Sequence, residues 1–106
     1  METKLAVWLV GKKYAESVEE GKEFLNALEK GNCPDALLDY LKKDLDVLMA
    51  LGGKVSTDKA TEYLKDKLKS AEKLIAFWET NPTDTNAIFF NKRLQEYLSA
   101  HPEEQS

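Results

Sequence analysis

The sequence predicts an all-α protein: an antiparallel four-helix bundle, up-down-up-down, forming a single domain over residues 1–106. Three observations carry this. Glycine- and proline-bearing breaks divide the chain into four segments, each long enough for a helix and joined by connections of a few residues. Within each segment the apolar residues recur at helical spacing. Finally, 42% hydrophobic and 32% charged residues are ordinary globular usage, and three Pro with five Gly leave few residues for the many turns of a sandwich or barrel.

The first helix is expected over about residues 3–30. Val7, Gly11, Tyr14, Val18, Gly21, Leu25 and Leu28 follow alternate steps of four and three, the seam spacing of a packed helix. Glycine at two seam positions costs about 1 kcal/mol each against Ala, and it removes bulk where another helix can approach closely. Gly11 is the point at which this helix would break. Leu5-Ala6-Val7-Trp8-Leu9-Val10 also fits a buried strand, but the chain offers nothing for a single strand to pair with. Gly31-Asn32-Cys33-Pro34 ends the segment.

The second helix is expected over about 34–51, with Leu37, Leu38, Leu41, Leu45, Leu48 and Met49 on one stripe and Tyr40, Val47 and Leu51 widening it to one side. Gly52-Gly53 ends it, and Ser56-Thr57-Asp58 supplies candidate N-caps for the third, over about 57–79. Ala60, Tyr63, Leu64, Leu68, Ala71, Leu74, Ile75 and Trp78 share its face, with Lys67 at the edge of the stripe, where its stem can lie along apolar neighbours. Asn81-Pro82-Thr83-Asp84 forces the next break, because the residue before Pro is pushed out of helical conformation. The fourth helix, over about 84–100, places Ala87, Phe90, Leu94, Tyr97 and Leu98 together and stops at Pro102.

Candidate chemistry is sparse. One Cys excludes an internal disulfide, and without a Cys/His cluster no structural zinc site is expected. Cys33 precedes a helix N-terminus, a place where a thiol can become reactive, but no basic residue lies within two positions of it; a packed turn residue is the plainer reading. His101, the lone histidine, is expected at a frayed helix end. Glu16, Glu19, Glu20 and Glu23 lie opposite the seam of helix one and read as a solvated acidic face. A di-iron bundle would need Glu on the core stripes and Glu-x-x-His motifs, which are missing. Gly52-Gly53-Lys54 lacks the strand, spacing and hydroxyl residue of a phosphate loop. Lys65, Lys69 and Lys73 form a basic row, but Glu62, Asp66 and Glu72 flank it and the net charge is −4, which argues against a nucleic-acid partner. No apolar run approaches the roughly 20 residues of a membrane span. No enzyme activity, cofactor or metal is expected.

The informative feature is apolar surface beyond what a core requires. Leu5, Trp8 and Leu9 fall off the seam of helix one, leaving its first two turns apolar nearly all round. Ile88 and Phe89 point away from the face of helix four, and Phe77 lies off that of helix three. In an alternating bundle the Trp8 surplus and the Phe77/Phe89 surplus belong to separate ends. A local alternative has Phe77 and Phe89 closing over the 79–86 loop.

These residues predict a non-enzymatic protein–protein interaction module, of adaptor, inhibitor or immunity type, that acts through exposed apolar helix surface. The expected contact residues are Leu5, Trp8, Leu9, Tyr40, Val47, Leu51, Ile88 and Phe89. The partner is another protein or a second copy of the chain, a homodimer being the least demanding form. The alternative is a small-molecule-binding bundle with a cavity lined by Trp8, Trp78, Tyr14, Tyr63 and Tyr97. A single free cysteine and the lack of a signal-peptide pattern favour a reducing, cytoplasmic setting.

Overall fold

The computed structural model describes residues 1–104. All the regular structure among them is helical: α1 (Glu2–Gly11), α2 (Val18–Glu29), α3 (Asp35–Lys42), α4 (Leu45–Ala50), α5 (Thr57–Thr80), α6 (Thr85–Ala100) and a closing 3₁₀ turn at Pro102–Glu104. Residues 5–10 are therefore helix, not strand. The breaks at 31–34, 52–56 and 81–84 stand where the sequence puts them. The element count is six helices among the described residues instead of four, because the first two segments are each divided.

The first division is a hairpin. Lys13 adopts a left-handed backbone at φ 66°. The Tyr14 N–H donates to the Leu9 carbonyl at 2.9 Å and the Lys13 N–H to that of Val10 at 3.0 Å, the paired bonds of a Schellman stop. Tyr14 then packs edge-on against Trp8, with ring centroids 6.5 Å apart. Three residues on, the Ser17 hydroxyl accepts from the Glu20 N–H at 3.1 Å, while Glu20 accepts from the Glu16 N–H at 2.9 Å. A stop and a start this close reverse the chain. The expected helix over 3–30 is thus two helices packed on each other.

The second division is made by Asp44. Its carboxylate accepts from the N–H groups of Asp46 and Val47, capping α4, and also from the Tyr14 hydroxyl at 2.6 Å. One side chain therefore ties the stop of α1 to the start of α4. The new cap resets the helical phase, so the stripe projected along a continuous 34–51 helix fails past Lys43. Leu45 and Met49, expected inside, stand exposed, and Val47, expected outside, is fully buried.

The core is assembled round α1, which packs against α2, α5 and α6, while α3 packs on α4 and α5. Leu5 through Leu9 are all buried. A helix that is apolar nearly all round belongs in a core, and this one is enclosed. The close approach predicted from the seam glycines is realised at Gly21: a Cβ there would stand 3.0 Å from the Ala6 Cβ and 3.1 Å from the Ala6 backbone. The molecule measures 39 × 27 × 20 Å with a radius of gyration of 14.0 Å, near the roughly 13 Å of a compact chain this long.

Polar contacts fasten the last turn to this centre. Glu104 accepts from the Thr3 hydroxyl at 3.0 Å and also engages the Lys22 ammonium and the Tyr97 hydroxyl. His101 stacks on Tyr97, with ring centroids 4.1 Å apart, and its Nε2 lies 3.1 Å from a Glu19 carboxylate oxygen. The frayed end expected at His101 is therefore an anchored one.

Candidate functional site

The site is built from the outer edges of three helices. Between α5 and α6 runs an open groove of about 490 Å³. Its floor is the side of α1 carrying Val7, Trp8 and Gly11, and its walls carry Ala71, Leu74 and Trp78 from α5 and Phe89 and Phe90 from α6. Trp78 and Phe90, whose ring centroids are 5.1 Å apart, form its buried aromatic seat. Phe89 and Leu74 stand exposed at the lip, 60% and 41% accessible. Phe77 and Ile88, 49% and 53% accessible, are exposed on the same two helices but do not line the groove.

The polar lining has one sign. Lys12, Lys67 and Arg93 border the groove with Ser70 and Asn86, and no acidic residue lines it among the described residues. Each cation has a local reason for its position. Lys12 is the C-cap of α1, where positive charge suits the negative end of the helix. Arg93 lies across that same end, its guanidinium 2.7 Å from where a Gly11 Cβ would be, so the missing side chain at Gly11 makes room for it. The Lys67 ammonium sits 5.6 Å from the centroid of the Tyr63 ring, one turn earlier on α5.

The expected contact residues divide sharply. Leu5, Trp8, Leu9 and Val47 are buried and Tyr40 and Leu51 half-buried, so the N-terminal exposed patch is corrected to core. The cause is the hairpin: α2 folds back over the α1 surface that a continuous helix would have left open. Tyr40 packs on Phe24 and donates to Glu20 at 3.2 Å, in place of facing outward. Ile88 and Phe89 are exposed as predicted. Two of the aromatics proposed for a cavity, Trp8 and Trp78, do meet at the groove, while Tyr14, Tyr63 and Tyr97 do not line it. Trp8 and Phe89, assigned to opposite ends, share one depression.

Sequence reasoning missed Arg93 and Lys12 at the groove and Asp44 at the joint. The pattern Ser17-x-x-Glu20, a capping box signal ahead of an amphipathic stretch, marks the start of α2 and would have folded α1 back. No comparable signal gathers Lys12, Lys67 and Arg93, which come from three helices.

Other chemistry-bearing groups lie elsewhere. Burial pushes the Cys33 thiol up to about 11, with the nearby Asp35 charge adding to the effect, so it stays protonated at neutral pH. Among the described residues no group of three or more His, Cys, Asp or Glu could hold a metal ion, and no helix is long and apolar enough to cross a membrane. The chain matches no family model, no curated protein and no solved structure.

Proposed function

We propose that this chain is a non-enzymatic protein-binding module whose contact face is the α5–α6 groove with its flanking Phe77, Ile88 and Phe89. The observation that carries this is exposed apolar area next to a preformed aromatic seat. Single exposed apolar residues are ordinary, but four of them on two adjacent helices, beside a groove floored by tryptophan, have the make-up of a contact surface. The regulatory roles proposed from sequence, adaptor, inhibitor or immunity-type protein, belong to this reading, as do a homodimer and a cytoplasmic setting.

A photo-crosslinking amino acid at position 89 tests it in an extract of the source cells, with the same group at exposed Lys54 as control. A discrete protein adduct made at position 89 and not at 54, and lost on Ile88→Lys, is the expected result. Identical adduct patterns at the two positions would sink the reading. A second reading, a small-molecule site, draws on Trp8 and Trp78 lining the same space. It predicts a concentration-dependent rise in melting temperature with the compound bound.

A further inference from the structure

The groove has a charge character opposite to that of the molecule. The chain carries a net −4, yet the groove presents Lys12, Lys67 and Arg93 with no carboxylate among its described lining residues. On each of the three helices a cation follows or precedes an apolar lining residue at short interval: Trp8 and Lys12 on α1 and its cap, Phe89 and Arg93 on α6, Lys67 and Leu74 on α5. At 1.5 Å per residue these separations are about 6 to 10 Å. Arg93 lies against Gly11, the residue before Lys12, so two of the three cations border the end of α1 while Leu74, Trp78 and Phe89 supply the apolar part.

Resting on the protein-binding reading above, we propose that the groove receives a short acidic amphipathic helix of a partner protein. That helix seats an apolar or aromatic side chain against Trp78 and Phe90 and directs Asp or Glu one to two turns away toward Arg93, Lys12 and Lys67. The complementarity is specific in sign, because a basic segment would meet three like charges and no carboxylate among the described lining residues, the one that Lys12 acts on, Asp44, lying outside the groove. A protein segment fits better than a small amphiphile because Phe77 and Ile88 are also exposed on the same two helices, outside the groove, where only a larger ligand reaches. Seating an aromatic anchor beside these cations also separates the two functions expected of an interface: desolvated contact for affinity and charge for orientation and rate.

The test is a selection from a display library of random twelve-residue peptides against the intact chain. Enriched peptides are then synthesised and their binding followed by emission from the two tryptophans, both of which line the groove. The expected peptides carry a Leu or aromatic residue and at least two Asp or Glu within two turns. Their affinity falls at least tenfold on Arg93→Glu, falls on Phe89→Lys, and weakens as salt rises. Arg93 and Phe89 are exposed, and circular dichroism checks that both variants keep their helicity.

Enriched peptides with no acidic excess, or ones indifferent to Arg93→Glu, would overturn the acidic partner while leaving the protein-binding reading intact if Phe89→Lys still abolishes binding. Failure of both variants to affect binding, or no enrichment at all, removes the groove from that reading as well. Dodecanoate binding more tightly than any peptide would reassign the space to a small amphiphile. A dimer at micromolar concentration that Phe89→Lys dissolves would assign the face to a second copy.

Discussion

At the scale of single residues, Lys13 and Asp44 govern the path of the chain more than any core residue does. Lys13 holds a left-handed backbone, a conformation that costs a residue with a Cβ about 1–2 kcal/mol. Part of that cost is relieved by glycine, whose freer unfolded chain offsets the remainder. Lys13→Gly is therefore expected to raise stability by about 0.5–1 kcal/mol, read as a higher urea midpoint. An unchanged or lower midpoint would mean that the Lys13 side chain itself holds the turn. Asp44 acts differently, by accepting three hydrogen bonds from two parts of the chain. The Tyr14 hydroxyl lowers the Asp44 carboxyl below its ordinary range, while burial and that same bond push the Tyr14 hydroxyl well above its own. Neither role was legible in advance. A lysine at a left-handed position has no signature, since glycine is what marks that stop. The Asp44 cap sits inside an apolar stripe that reads as continuous.

At the scale of elements, the α1–α2 contact rests on absent side chains. Gly21 lies against the Ala6 backbone, which cannot move aside without shifting α1, whereas the atom nearest Gly11 is the far end of the Arg93 side chain. The two glycines thus predict opposite outcomes for one substitution. Gly21→Ala should destabilise by about 1–3 kcal/mol, the usual consequence of overpacking, despite the gain in helix propensity. Gly11→Ala should stay within about 0.5 kcal/mol of the parent, because Arg93 can swing away. Thermal melts of both variants decide the matter, and equal losses would contradict the close packing at Gly21. The seam that contains both glycines was readable from sequence; which surface it meets was not. Spacing alone gives an apolar face, but only the caps at Lys13 and Ser17 tell that the later part of the seam folds back on the earlier part.

At the scale of the whole molecule, the last turn is fastened to the first helix through Glu104. Its carboxyl is held down at about 2 by the Lys22 ammonium first, then by the Tyr97 and Thr3 hydroxyls. The depressed value fixes the sign of the pH effect. Stability from this anchor is fully present above the ordinary value of 4.5 and is lost as pH falls from there toward about 2. Glu104→Gln should accordingly lie below the parent in stability at neutral pH, and the gap should narrow through that acidic window. Urea titrations at a series of pH values measure it, and a gap that stays constant to pH 2 would refute the linkage. The interior of the molecule was legible in outline, since most residues on the predicted stripes of α5 and α6 are buried. The candidate groove was legible in part: Phe89 stood out as surplus, but its neighbourhood with Trp8 follows only once α1 is short and central.

That central position also bears on how the chain is made. α1 is synthesised before α5 and α6, which cover two of its sides, and the residues up to Ala100 must be completed before enclosure. At 5–20 residues per second the delay is on the order of ten seconds. Until α5 is made, α2 alone shields a helix that is apolar nearly all round, and its α6 side stays open longer still. A nascent or truncated chain ending before α6 would leave the α6-facing side of α1 uncovered, the kind of surface that chaperones hold and that aggregates capture. The segment that organises the finished fold is thus the one most in need of protection while it is being built.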